Sequence, residues 1–503
     1  TISSADSNTG VGVDVFAALT EGDSNVAVGK SALTANTTGA LNTAAGASAL
    51  TTNTTGANNV AVGFAALQLA TTASNNTAVG YAAMNANTTG TQNTAVGYGA
   101  LDANTTVNNN NAFGYNSLGA NTTGTQNSAF GEESLLTNTT GSQNTAFGSE
   151  ALKANTTASN NTAFGRAALF ANTTGANNTG VGRTALATTT TGDNQTGVGY
   201  QALYSATTAD NNTALGHNAL FNTTTGDDNT GIGKGAMENN TTGIYNVGVG
   251  MQALYTNTTG KFLTAVGYQA LYTHNTTNSG GVNSTAVGYK SLFAETSGNQ
   301  NTAVGASSLD ALTTGESCTA VGTNALSANT TASNNTAVGK DALLASTTGA
   351  QNTMVGTQSG DAVTTGSNNT GVGYEALGKL TTGGDNVGVG RAAGLDNTTG
   401  SGNCAFGVEA LENGSGCNNT IAIGKQAGRE ISTGSNNMLL GTGSGNSGSP
   451  GGSITSGNNE VTIGNGDHSK INAQVSITVA SDERDKTDFQ PLSAGLDFVN
   501  QLT

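Results

Sequence analysis

Along most of the chain a short apolar phrase alternates with a longer polar one, and the alternation is strictly periodic. Asn93–Asn109, NTAVGYGALDANTTVNN, is one copy of a unit with the consensus N-T-A-V-G-Y-x-A-L-x-A-N-T-T-G-x-x. A glycine follows the first apolar residue at Gly12, Gly29, Gly46, Gly63, Gly80 and Gly97, then in steps of 17 to Gly267. A step of 21 leads to Gly288, steps of 17 resume to Gly441, and a step of 23 reaches Gly464, giving 27 units. The residue before this glycine is always apolar (Val79, Val96, Phe113, Phe130), and Leu or Met usually stands four residues after it (Leu67, Met84, Leu101, Leu118). A helix needs apolar residues at i, i+3, i+4 and i+7, which the Thr/Asn/Gly-rich half lacks. β-Branched and aromatic residues at short alternating spacing fit strands. The pattern predicts an all-β fold: a parallel β-solenoid or β-roll of about 27 coils, each coil pairing with those above and below.

The polar half reads as turn chemistry, since Gly supplies positive φ and Asn tolerates it. N-T-T-G is expected at one corner and N-N-T or Q-N-T at the other. Pro450 and Pro491, the only prolines, lie outside the main array, as a continuous ladder requires. The two large apolar residues of each coil are expected inside. So thin a core points to burial between chains, with Ala95, Ala100 and Ala103 allowing close approach. The expectation is a homotrimer, intertwined or side by side around one axis.

The chain divides as follows. Residues 1–20 form an imperfect first coil or cap, with Phe16 in place of Leu. Residues 21–271 are the most regular array, although Ala73, Val107, Ala158 and Ala209 replace the corner glycine; the last three are spaced by three units, which suggests block duplication. Residues 272–287 carry a four-residue insertion within Asn275–Ser284, expected as a surface bump. Residues 288–441 resume the array, and Gly360, Gly394 and Gly428 replace the core Leu, predicting a thinner core. Residues 442–459 are a Gly/Ser-rich loop. Residues 460–480 alternate cleanly at Val475, Ile477 and Val479 and read as a closing β segment instead of another coil; residues 481–503 differ again.

Charge narrows the partners. A net charge of −16 argues against nucleic acid and against anionic membrane surfaces. No apolar run approaches the roughly 18 residues that a membrane-spanning helix needs, so no membrane insertion is expected. The sequence starts without Met and shows no signal peptide, which suggests a missing upstream part. Cys318, Cys404 and Cys417 cannot make a disulfide framework and have no metal spacing; they read as buried or half-buried thiols. No metal or cofactor is expected. Asn-Thr-Thr triplets match the glycosylation acceptor but are better explained as turns.

Stacking turns each coil position into a row. Asn25, Asn42, Asn59, Asn76, Asn93, Asn127, Asn144 and Asn161 share one row, where amides can bond along the axis. Tyr81, Tyr98, Tyr115, Tyr200, Tyr268 and Tyr289 share another with Lys30, Arg166, Arg183, Lys234 and Lys340, which reads as an exposed edge able to meet sugars. Thr88–Thr89, Thr122–Thr123 and Thr173–Thr174 form rows of the kind that can order water. His217, His274 and His468 lie far apart without triad spacing. Glu132–Glu133 and Asp227–Asp228 read as solvated corner pairs, not as the two facing carboxyls of a glycosidase.

Two resemblances add to this. The N-T-A-V-G-x-x-A-L coil, over about residues 5–441, resembles the S-V-A-I-G coils in the heads of trimeric autotransporter adhesins, and repeats of phage tail fibres. That implies a left-handed β-roll in trimers. Ser481–Lys486, SDERDK, followed by LSAGLDFVNQL, resembles the start of the endosialidase-type intramolecular chaperone at the ends of phage tailspikes and fibres. The resemblance implies trimerisation and self-cleavage at Ala480–Ser481, with Ser481 as nucleophile and Lys486 as general base. Together they lead to the expectation of a virion tail fibre, not otherwise an enzyme. Its implied partners are a host-surface glycan or protein receptor and tail or baseplate proteins at its N-terminal end. The alternatives are a bacterial surface adhesin, a depolymerase tailspike and an ice-binding protein.

Overall fold

The computed structural model describes residues 5–275, 283–450 and 452–470. Each coil contributes one short strand, from β1 (Thr9–Val11) to β27 (Val461–Ile463). Every strand pairs in parallel with the next in sequence, and the usual register is i to i+17, as in Thr77↔Thr94 and Val79↔Val96. The described chain is therefore a parallel β-solenoid, 27 rungs high, without helices. At ~4.8 Å per rung it is about 125 Å long.

The ladder absorbs both irregular steps. β16 (Thr264–Val266) pairs with β17 (Thr285–Val287) at i to i+21, and β26 (Met438–Leu440) pairs with β27 at i to i+23. An insertion in a corner leaves both neighbouring strands in register, as expected. The expected bump at 276–282 lies outside the described residues, as do residues 471–480 of the closing segment. Within its described part, residues 460–470, Val461–Ile463 pairs as one more rung, which corrects the reading of a closing segment that is not another coil.

Short strands do not mean short ladders. The turn-rich remainder of each coil is also bonded to its neighbours: Leu50 N–H donates to Ala66 O (3.1 Å), Thr54 N–H to Thr71 O (2.8 Å), and Asn58 N–H to Ala40 O (3.0 Å). Backbone polar groups thus find partners around the whole circumference.

The strand glycine is the fixed point of the coil. Gly97 has φ +140°, and a Cβ there would lie 2.3 Å from Gly114 O in the next coil. The N-T-T-G glycine has no positive φ. That corrects its expected role as a left-handed corner and fits the presence of Ala and Val at that position in other coils.

The core differs from the expected one. Within Thr-Ala-Val, side chains alternate across the strand, so Ala is inside and Thr and Val are outside. Val62 is 37% exposed and Phe164 54%, whereas Ala95 and Ala100 are fully buried. Ala95 and Ala100 therefore line each chain's own interior and do not provide close approach between chains; Ala103 is half-buried. In most coils one large side chain remains, the Leu or Met after the glycine; a few add a second at another position, as Leu312 and Leu380 do. The Leu or Met after the glycine sits at φ between +49° and +55° from Leu33 to Leu343. Left-handed φ costs a branched residue roughly 1–2 kcal/mol, and burial of Leu returns about 1.5–3 kcal/mol.

The core also does not thin where expected. Met354 occupies the strand centre, and a Cβ on Gly360 would lie 2.9 Å from its Sδ. Leu439 does the same for Gly428, at 2.6 Å. Only Gly394 lacks such a partner, and a small cavity lies beside it between Leu377 and Leu411. The Gly/Ser-rich loop is pinned: Ser453 Oγ donates to Glu430 Oε2 (2.6 Å) and Ser447 Oγ to Glu430 Oε1 (3.0 Å).

Candidate functional site

Two inward rows of asparagine hold the coils together. In the expected row, Asn42 N–H donates to Asn25 Oδ1 (2.9 Å), while Asn25 Nδ2 donates to Gly39 O (2.9 Å). The second row, from the N-T-T-G asparagines, was not singled out from the sequence. Asn53 Nδ2 donates to Asn36 Oδ1 (2.8 Å), and Asn36 Nδ2 also donates to Gly39 O (2.9 Å). Its signal was present: a recurrent Asn at a fixed phase next to apolar positions. Both rows are buried and structural; they offer nothing to a ligand.

The threonine corners split. The first hydroxyl is used internally, as in Thr88 Oγ1 to Thr105 O (3.2 Å) and Thr173 Oγ1 to Thr190 O (2.9 Å). In each pair it is the second Thr (Thr89, Thr123, Thr174) that is exposed without such a bond to the next coil.

Four outward rows carry large side chains; the sparsest, five residues before the strand glycine, stacks Tyr245 on Phe262 (5.4 Å). The strand row stacks Phe113, Phe130, Phe147 and Phe164 with centroids 4.5–5.2 Å apart. The row after the glycine stacks Phe64, Tyr81, Tyr98 and Tyr115 at 5.1–5.3 Å, and Tyr98 is 51% exposed. This row is the exposed edge expected from the sequence, with Arg183 over the Tyr200 ring at 5.7 Å. Its rings cover one another's faces, however, so along an unbroken stack a sugar meets only edges and hydroxyls. The third row, after the core Leu, was missed. It stacks Tyr204 on Phe221 (5.2 Å), and Tyr255 on Tyr272 and Tyr272 on Phe293 (5.3 and 5.2 Å). These residues share one phase of the repeat, which was the available signal.

Some of the charges form surface pairs. Lys153 Nζ lies 2.6 Å from Glu133 and 3.1 Å from Glu150, and those bonds raise its pKa above the usual lysine value. Glu133 is thus paired, not free; Asp227 Oδ1 accepts Asp210 N–H (2.8 Å). Toward the C-terminal end Arg391 pairs with Glu409 and Arg429 with Glu412.

One interior site departs from the rule. At the insertion the second Asn row becomes His274 and then Glu295, both buried. Neither ring nitrogen of His274 has a partner, and burial holds its pKa down at about 4. Glu295 Oε1 accepts from Ser284 Oγ (3.1 Å) and Asn301 Nδ2 (3.0 Å), Oε2 is unpaired, and burial pushes the carboxyl up to about 7. His217 instead stacks on Tyr200 (5.2 Å), and His468 lies exposed near the end. Cys318 and Cys417 are buried and Cys404 half-buried, all free.

Among the described residues no three His, Cys, Asp or Glu side chains gather as metal ligands, and no helix is long and apolar enough to cross a membrane. Ser481 and Lys486 lie outside the described residues. No protein-family model matches the chain, and no curated protein matches it either.

Proposed function

We propose that the chain is the shaft and adhesive surface of a homotrimeric fibre, carried on a bacteriophage tail. One observation supports this most: the outward Val/Phe row of the strands. It runs from Val11 to Ile463, and much of it is exposed on the single chain. Isolated soluble chains rarely leave apolar stripes beyond a few hundred Å² uncovered. A stripe about 125 Å long is best covered end to end by something equally long and periodic, and other copies of the chain meet that need. Because each coil closes its own Ala/Leu interior, three chains would lie side by side with their strand faces inward, left-handed by the adhesin resemblance. The remaining faces stay free for a host-surface receptor. Light scattering tests the assembly: three times the chain mass of 49.4 kDa is expected, and a stable monomer would overturn it.

The C-terminal resemblance supports the phage reading over a bacterial surface adhesin, the second reading. Fused after residue 503 to the remainder of a chaperone domain of this type, the chain should be cut at Ala480–Ser481, and Ser481→Ala should remain whole. Neighbouring tail genes would favour the phage; a downstream membrane anchor would favour the bacterium. Apart from such single-turnover cleavage, no enzymatic role, cofactor or nucleic-acid partner is assigned.

A further inference from the structure

The third outward row contains a gap. Its rings run in register with the repeat, but between Phe170 and Tyr204 the position is held by Ala187. Phe170 is covered on one side by Lys153, whose Nζ stands 5.6 Å from the ring centroid. Tyr204 is covered on the far side by Phe221, stacked at 5.2 Å and 12°. The remaining ring faces look toward each other across Ala187, two rungs or roughly 9.6 Å apart. The space between them is an open groove of about 460 Å³, with Ala167, Ala171 and Ala187 among its lining.

We infer that this gap is a binding slot for one uncharged hexopyranose ring. Half of the wall separation, roughly 4.8 Å, matches the ring spacing within the intact stacks, so one six-membered ring fits between the two faces. Within the intact stacks the faces cover each other; at Ala187 two are available at once across a methyl group, whereas at the row's other break the longer Glu238 stands between Phe221 and Tyr255. The polar groups around the slot select a sugar over an arene. Glu150, Thr184 and Thr188 line it together. Both threonine hydroxyls already donate, to Arg183 O (2.8 Å) and Tyr204 O (2.7 Å), which leaves their oxygens as acceptors for sugar hydroxyls. Glu150, the one charged lining residue, is paired with Lys153. An acidic sugar would meet that carboxylate, and a neutral one donates to it. Apolar faces with a few convergent polar groups are the usual make-up of a small-ligand site. The slot deepens the adhesive reading and rests on it for the sugar's source, a cell-surface glycan; the fit of ring to slot does not depend on that reading.

Saturation-transfer NMR on the full chain tests this, with methyl β-D-glucopyranoside, methyl β-D-galactopyranoside, N-acetylneuraminic acid and p-cresol as separate probes. At least one neutral pyranoside should receive saturation at its ring C–H protons, and the acidic sugar should not. Ala187→Phe completes the aromatic row and should cut the signal at least tenfold without lowering the melting temperature. Should that variant melt early, Tyr204→Leu, which removes one wall, decides by the same tenfold criterion. The inference is overturned if neither neutral pyranoside binds, if binding survives both variants, or if p-cresol alone binds. Light scattering on the same samples separates the two readings. A trimer without pyranoside binding sinks the slot alone, and a monomer that binds sugar sinks the fibre alone.

Discussion

The coils around Leu101 to Leu169 and those around Gly360 and Gly428 fill the same interior from opposite sides. In the first set the strand centre is Ala and the large side chain comes from the turn, at left-handed φ. In the second set Met354 or Leu439 comes from the strand, and the turn position falls back to Gly. The difference shows that either side of the coil can supply the filling; of these turn glycines, Gly394 alone is left with a small cavity. It also shows that left-handed Leu is tolerated because it fills the axis; where another side chain fills it, glycine, which has no such penalty, takes over.

Both regions depend on the strand glycine, so the largest expected effect lies there. Gly131→Ala places a Cβ 2.6 Å from the backbone of Gly148, at φ +132°. A loss of about 4 kcal/mol is expected from strain and backbone displacement, read as a drop in the denaturant midpoint.

The exchange of filling sides is tested by a double-mutant cycle. Met354→Ala alone should cost about 2–4 kcal/mol through the cavity it leaves. Gly360→Leu alone should cost about 1–3 kcal/mol by overpacking. Together they recreate the first type of coil, so the pair should couple by about 2 kcal/mol or more. Simple additivity would mean the two residues do not share one space.

A smaller effect separates the insertion coil from both. His274, held near 4, withdraws stability as pH falls from 6.5 to 4, because the unfolded chain takes up the proton first. Glu295, pushed up to about 7, has the opposite sign: its contribution is complete below 4.5 and is lost as pH rises to 7. Each shift is worth up to about 3 kcal/mol, and between pH 4.5 and 6.5 they nearly cancel. Glu295→Gln should leave stability that rises with pH over this range, and His274→Asn should leave stability that falls. Denaturant melts at pH 4.5 and 6.5 read both slopes.

The smallest effect is a gain. Gly394 has neither filling side chain, and its nearest obstacle is the far end of the Leu377 side chain. Gly394→Leu should raise stability by about 0.5–1 kcal/mol, seen as a higher melting temperature.

Much of the architecture was legible in the sequence, because a strict period fixes the number of regular rungs, the register across the four-residue insertion and the first Asn row; the last rung was read instead as a closing segment. The direction of the side chains was not read correctly. Thr94 and Val96 are two apart and must share a face, so an inward Leu101 does not make Val96 inward too. The conformation of the Leu row was hidden for another reason: left-handed φ is not expected of Leu, and only packing along the axis stabilises it there. The Ala187 slot was hidden because a gap is visible only once the row around it is known. No such signal exists for the residues that would touch a receptor protein, since surface rows vary freely between rungs.

The stacking itself can be tested with two cysteine pairs in a Cys404→Ser background. Ser128 and Thr145 are register partners on adjacent rungs, and Thr162 lies one rung further. A pair one rung apart falls within the Cα separation a disulfide accepts, about 4.4–6.8 Å, and a pair two rungs apart does not. Ser128→Cys with Thr145→Cys should oxidise to an intrachain disulfide, seen as an unchanged chain mass with two thiols lost to alkylation. Ser128→Cys with Thr162→Cys should stay reduced. Oxidation of the second pair and not the first would contradict a solenoid that completes one turn with each copy of the repeat.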